Sequence, residues 1–362
     1  MLFGHGGDVY SIARKLGIRP YEVLDFSSNC SPLPYPEELH NYLCQNIHQM
    51  HLLPEVDSLG IRNLLAQRYN LSKENFLIGS GTTQWIFTLP RLLKPKKAFI
   101  CLPTYADYED ACKASDIEVT FLGPFVKGLN EDSSALITSL DHLKDTDISN
   151  SIIFLCNPNN PTGLFIEPDQ LLEIILKKPD NLIWIIDEAY APFVASDNES
   201  SLLTRNFPAN VIILRSFSKI YGIPGLRVGC LVCKGAIMDK LWQELKPWSV
   251  NRMAQLAVEF FLKNIDFEKQ VRNYCKQEKE FLVKNISALS KAEYIKGQCH
   301  FALFKLKSTS SASDIKEALE SEGMLIRDCH NFRGLSGEYI RISPRLHQDN
   351  LKLVKTIKYL LI

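Results

Sequence analysis

The sequence predicts an α/β protein, with a large unit built on a mostly parallel sheet and a smaller α+β unit after it. Three observations predict it. Near-continuous apolar runs at Ala98–Leu102, Ser151–Cys156, Leu182–Asp187 and Val211–Leu214 alternate with segments of helical periodicity. Strands covered by helices on both faces of a sheet read in this way. A long helical stretch from about Met253 to Leu289 then ends the alternation, and apolar segments near Phe301–Leu306, Gly323–Arg327 and Tyr339–Ser343 supply a second set of strands. The chain divides accordingly into an N-terminal segment at 1–40 that joins the small unit, a large domain at 41–252 and a small domain at 253–362.

Taken in order, Val9 to Leu16 is a short helix, with Gly17 as its stop signal. Val23 to Asn29 is a strand running into the proline-rich turn Ser31–Pro36. Leu59 to Tyr69 carries apolar residues at helical spacing. Phe76 to Gln84 is a strand, a glycine turn and a new helix, so Gly81, Thr82 and Thr83 present amides at a helix start, where phosphate binds well. Helical segments at Asp107–Ala114 and Leu171–Lys177, and a strand at Glu118–Leu122, complete the alternation before Val211.

Composition excludes several function classes. Lysine plus arginine equals aspartate plus glutamate at 41 each in 362 residues, so no global field draws in nucleic acid or an anionic membrane. No apolar run approaches the ~20 residues needed to cross a bilayer. The first residues lack a basic region followed by an apolar core, so no signal peptide is expected. Ten cysteines scattered through apolar stretches fit reduced, buried thiols in a cytoplasmic enzyme. Cys230 and Cys233 have C-x-x-C spacing but lie in an apolar strand without a second pair, and no metal site is expected.

The chemistry concentrates at strand ends. Ser216, Ser218 and Lys219 follow the strand Val211–Leu214, at the edge where open α/β sheets bind ligands. A lysine there, with Arg227 eight residues on, suits a Schiff base to an aldehyde cofactor whose phosphate the hydroxyls and guanidinium hold. Asn157, at the next strand end, can offer its amide to a ring oxygen in the turn Asn157-Pro158-Asn159-Asn160-Pro161-Thr162-Gly163. Asp187 ends another strand, where burial would raise its pKa unless a cation such as a protonated pyridine nitrogen pairs with it. Tyr105 can stack on the ring, and Tyr190 can hydrogen-bond its phenolic oxygen.

In that order these segments identify the chain as a member of the fold-type-I pyridoxal 5'-phosphate enzymes of the aspartate aminotransferase superfamily. Within them it resembles the L-threonine-O-3-phosphate decarboxylases of cobalamin (cobamide) biosynthesis, which are close relatives of histidinol-phosphate aminotransferases. The segments carrying the finer resemblance are His5-Gly6-Gly7-Asp8, Asp25–Asn29, Arg215–Lys219, Pro247–Asn251, Leu325–Cys329 and Tyr339–Arg345. The resemblance implies that Lys219 carries the cofactor, Asp187 pairs with its ring nitrogen, Asn157 and Tyr190 hold the ring oxygen, and Tyr105 stacks. Gly81, Thr82, Thr83, Ser216, Ser218 and Arg227 would bind the cofactor phosphate. His5 and Arg327 would bind a substrate phosphate, Arg341 or Arg345 its carboxylate, with Gly6, Asn29 and Asn157 beside them. The implied reaction is decarboxylation of phosphothreonine or phosphoserine by a homodimer, with histidinol-phosphate-type transamination as the alternative. One departure is visible. Leu53 stands where related enzymes often place a tyrosine whose hydroxyl reaches a partner subunit's cofactor phosphate, and leucine cannot make that bond.

Overall fold

The structure is a computed structural model that describes residues 5–123, 133–144, 148–307 and 311–361. In chain order its strands are β1 (Leu24–Asp25), β2 (Phe76–Gly79), β3 (Lys97–Cys101), β4 (Glu118–Leu122), β5 (Ser151–Cys156), β6 (Leu182–Asp187) and β7 (Val211–Ser216). They continue as β8 (Gly229–Val232), β9 (Ala292–Ile295), β10 (Ala302–Leu306), β11 (Met324–Leu325), β12 (Arg327–Asp328) and β13 (Tyr339–Ile342).

Seven strands form the large sheet, in the order β2-β8-β7-β6-β5-β3-β4. β4, β3, β5, β6 and β7 run parallel, and β8 runs antiparallel to both its neighbours. β5 is buried along its whole length, and β6 is buried except at Ile183. That explains their unbroken apolar character, since helices cover both faces. The core here is large side chains without contact with water, among them Trp85, Trp184 and Phe154. Truncating one would cost on the order of 3–5 kcal/mol.

The smaller sheet has the order β12-β13-β10-β9 and is antiparallel throughout. The expected strand at Gly323–Arg327 is two. Met324–Leu325 pairs in parallel with β1, whereas Arg327–Asp328 pairs with β13, and buried Ile326 lies between them. Thus Leu24 of the N-terminal segment lies opposite Met324.

The expected single helix from about Met253 to Leu289 is also two, Arg252–Lys263 and Asp266–Ser287. Asn264 breaks it: its side-chain amide donates to the Phe260 carbonyl at 2.7 Å, competing with the helical backbone. Ala257, Phe261, Val271 and Cys275 pack into the large core, while Leu282 and Ile286 pack into the small one. The two cores therefore meet along the helix Asp266–Ser287. Among the described residues no helix is long and apolar enough to cross a membrane.

Candidate active site

Three parallel strands end together. Cys156 of β5 lies opposite Asp187 of β6, and Asp187 lies opposite Leu214 of β7, just before Ser216. Ser216 in turn lies opposite Gly229, and Gly229 opposite Gly79. A Cβ on Gly229 would stand 2.9 Å from the Arg215 carbonyl oxygen and 3.0 Å from the Thr82 nitrogen, so only glycine lets the Gly81–Thr82 turn approach the strand this closely. Gly81 has φ +80°, a conformation favouring glycine, and precedes the helix Thr82–Leu93. A Cβ on Gly81 would stand 2.9 Å from a guanidinium nitrogen of Arg227, so that helix start lies against Arg227.

These elements enclose an inner chamber of about 190 Å³, lined by Gly81, Thr82, Thr83, Ser216, Ser218, Arg227, Lys219, Asp187, Tyr105 and Tyr190, together with Tyr108 and Asn160. Asp187 is 5% exposed and in no ion pair among the described residues. Burial pushes its carboxyl up, opposed by Tyr108, whose hydroxyl donates to Oδ2 at 2.8 Å, by the Ala189 amide and by Lys219. Cys30 beside it holds the Lys219 ammonium above its ordinary range against burial, with help from Tyr190. Burial raises the Tyr190 hydroxyl, which Lys219 and Arg341 oppose. A buried carboxylate short of a cation, an amine, and a cradle of amides, hydroxyls and a guanidinium fit a phosphorylated pyridine aldehyde at each of its functional groups.

An outer cavity of about 420 Å³ adjoins the chamber, and Tyr105, Asn160, Tyr190 and Lys219 line both. His5, Gly6, Asn29, Arg327 and Arg341 line the outer cavity, as expected from the sequence. The His5 ring Nε2 lies 3.5 Å from Asp107 Oδ1. Asn29 is buried and accepts the Ser343 hydroxyl at 2.6 Å. Arg341 is 4% exposed; it donates to Asn160 Oδ1 and, at 2.5 Å, to the Ser27 carbonyl, while its Nε has no partner. Arg327 donates to Asn331 Oδ1 at 2.6 Å. Burial, and then Arg341, push the Arg327 guanidinium down to about 10. The two arginines are direct partners across β12 and β13, which puts them on the same face of the sheet. Neither is in an ion pair with a carboxylate among the described residues.

Two expected residues lie elsewhere. Asn157 is buried with both ends of its amide bound to the Ile166 backbone, each at 2.8 Å, and it lines neither cavity. Its place is taken by Asn160, three positions along the same turn. Arg345 pairs with Asp349 at 3.1 Å and reaches the Asp25 carbonyl, so it is committed outside both cavities. Sequence reasoning missed Asn160, Tyr108 and the segment His330–Leu335, four of whose residues besides His330 line the outer cavity. Asn160, the third asparagine of the turn, repeats before Pro161 the Asn-Pro step that Asn157 makes before Pro158, so the sequence offers both and does not choose between them. From that segment Arg333 makes a two-pronged pair with Glu109, at 3.0 and 2.8 Å, across the cavity mouth.

The sequence profile of the family described as Aminotransferase class I and II matches residues 22–357. The chain is 31% identical to the threonine-phosphate decarboxylase of Salmonella typhimurium, over 99% of this chain and 96% of that protein. It is 30% identical to the adenosylcobalamin biosynthesis bifunctional protein CobDQ of Leptospira interrogans over 97% of this chain, but spans only 40% of that protein's length. In three dimensions it is similar to the crystal structure of L-threonine-O-3-phosphate decarboxylase from Porphyromonas gingivalis, with a TM-score of 0.82, 27% identity, and coverage of 94% of this chain and 99% of that one.

Proposed function

The chain belongs to the aminotransferase class I and II family, and we propose that it decarboxylates an O-phospho-L-amino acid, phosphothreonine or phosphoserine, to the phosphorylated amino alcohol. Pyridoxal 5'-phosphate is the cofactor. The observation that carries the reading is the pair Arg327 and Arg341: two adjacent guanidinium groups, the first half-buried and the second buried, without carboxylate partners among the described residues, call for a ligand with two anions. Planar forks suit both a carboxylate and a phosphate.

When bound, the cofactor supplies an electron sink for the bond broken at the substrate's Cα. This chain's residues do the rest. Lys219 holds the cofactor and afterwards returns a proton to Cα in place of the departing carbon dioxide. The Asp187 carboxylate would keep the ring nitrogen protonated, and Tyr108 fixes that carboxylate by its hydrogen bond. Tyr105 would lie against the ring. Tyr190 and Asn160 would hold the ring oxygen, while Gly81, Thr82, Thr83, Ser216, Ser218 and Arg227 would hold the cofactor phosphate. Arg341 would take the substrate carboxylate and Arg327 its phosphate, with His5 beside it. Holding both ends would fix which bond at Cα is presented for cleavage, and that orientation would select carbon–carbon cleavage over proton removal.

The product from phosphothreonine is 1-aminopropan-2-ol phosphate, a building block for the cobamide nucleotide loop. Ten cysteines without a disulfide support a reducing cytoplasm. The exposed apolar side chains Ile47, Met50, Leu52, Leu53, Val56 and Trp248 support a homodimer that covers them. Holoenzyme mixed with phosphothreonine, phosphoserine and histidinol phosphate is expected to release carbon dioxide from the first or second without forming a 2-oxo acid. A 2-oxo acid from either amino acid, or the phosphorylated ketone from histidinol phosphate, with no carbon dioxide, makes the chain an aminotransferase.

A further inference from the structure

We propose that His330 is a further ligand of the substrate's phosphate and takes up a proton as that group arrives; the inference rests on the reading of Arg327 as the phosphate's main anchor. His330 lines the outer cavity beside Arg327 and Asn331. Its ring Nδ1 lies 2.8 Å from Asp328 Oδ2, and its backbone N–H donates to Asp328 Oδ1 at 2.9 Å. One buried carboxylate thus grips both the ring and the main chain of residue 330. Ser313 donates its hydroxyl to the same Oδ2, also at 2.9 Å.

Burial works to raise the Asp328 carboxyl, but the His330 backbone, the His330 ring and Ser313 hold it below its usual range. An ionised carboxylate at Nδ1 keeps a proton there and aims the ring. The nitrogen left for a ligand is Nε2.

The other cations around the cavity are committed. Arg333 is spent on Glu109, and Lys113 closes on the same carboxylate at 2.6 Å. His5 faces Asp107, and Arg341 is turned to Asn160 and Ser27. Asp110, the remaining charged group of the facing helix, adds negative charge and no cation. Arg327 therefore brings one positive charge to a phosphate that carries about −1.5 to −2 near neutral pH. His330 makes up the difference: a proton moves from the phosphate monoanion or from water to Nε2, which then donates to a phosphate oxygen. The Asp328 carboxylate behind the ring stabilises the imidazolium. Only N–H and O–H bonds change, and no electrons are transferred.

The test is a steady-state assay of holoenzyme on phosphothreonine and on threonine from about pH 6 to 9, the range in which imidazole changes charge. Wild type is compared with His330→Gln, which keeps a hydrogen-bonding tip but takes up no proton. The side chain is 61% exposed, so the substitution empties no core, and the cofactor's absorbance reports an intact inner chamber. His330→Gln should raise KM for phosphothreonine about tenfold at neutral pH, as for one lost charged hydrogen bond, with most of the change in KM and little in kcat. It should also flatten the rise of KM with pH that wild type shows. Asp328→Asn, which leaves the ring but withdraws the charge behind it, should flatten the same profile. An unchanged KM and pH profile in His330→Gln overturns the role of His330. If wild type does not prefer phosphothreonine to threonine, the phosphate reading of Arg327 is what fails, and this proposal goes with it.

Discussion

Arg327 and Arg341 stand opposite each other on neighbouring antiparallel strands, a half-buried and a buried positive charge side by side. Such an arrangement is unfavourable in the empty site and favourable once anions fill it. The substrate's two anionic groups and the protein's two guanidinium groups correspond one to one.

The first prediction concerns the ligand-free chain. Arg327 has its pKa lowered to about 10, so the unfolded chain holds this proton more tightly. Stability lost to this group is lost fully below about pH 10 and recovers only above it. Arg327→Met should therefore unfold at a higher temperature than wild type in anion-free buffer. Saturating phosphate should reverse the order, since an anion at a hundred times its Kd adds about 2.7 kcal/mol to wild type alone. A lower melting temperature for the mutant in both buffers would show that the guanidinium is stabilising by itself.

Function should move the other way. Arg327→Ala should cost phosphorylated substrates about 2–5 kcal/mol in kcat/KM, the range for a lost buried charge pair, and unphosphorylated threonine much less. Equal losses on the two substrates would take the phosphate away from Arg327.

Lys219→Ala should abolish multiple turnover and leave no cofactor fixed to the chain by borohydride. Mass spectrometry of the reduced protein decides it: a cofactor adduct on the mutant chain would assign the attachment to another lysine.

Asp187 makes a pH prediction. Its carboxyl is raised in the empty chamber, chiefly by burial, so the folded chain holds a proton there that the unfolded chain has released. The resulting penalty grows as pH rises from the ordinary carboxylate range through the folded pKa. A cofactor with a cationic ring nitrogen removes that penalty. The melting-temperature gap between holo and cofactor-free protein should widen as pH rises above the ordinary carboxylate range and stay flat in Asp187→Asn, which should also lose most of its turnover.

Asn157 and Asn160 should separate cleanly. Asn157→Ala strands two buried backbone groups of Ile166 and should lower stability by about 1–3 kcal/mol. Asn160→Ala should instead weaken cofactor binding and raise KM for amino-acid substrates, because it removes a holder of the ring oxygen and the partner that orients the Arg341 fork. Denaturant melts and kinetics on both variants check the pair; matching profiles would mean that the turn works as one unit.

The strand ends were the legible part of the site. Lys219, Asp187 and Ser216 follow apolar runs that could only be buried strands, so their common edge follows from parallel topology alone. The choice between Asn157 and Asn160 was not legible, because both belong to one turn and its backbone path decides which amide faces inward. Nor was the Arg327–Arg341 pairing, which depends on the register of β12 against β13 across an intervening loop. Arg345, the second candidate for the carboxylate, is held instead by Asp349, one helical turn onward. The break at Asn264 escaped notice because asparagine is only mildly unfavourable inside a helix, and apolar spacing continues on both sides.

The pairing of β1 with β11 has a consequence for how the protein comes into being. Leu24 leaves the ribosome early, yet its partner Met324 emerges only after the whole large sheet has been synthesised. Closing so long a loop contributes to slow folding, and the early strand must wait with its hydrogen-bonding edge unsatisfied. Gly6 and the Ser27–Asn29 stretch, which wall the outer cavity, flank that waiting strand. A nascent chain halted before Met324 would carry Lys219 and the phosphate cradle without a finished substrate wall. Catalytic competence thus waits on the late-synthesised residues from Met324 onward, which pair with the early strand and bring Arg327 and Arg341 to the site.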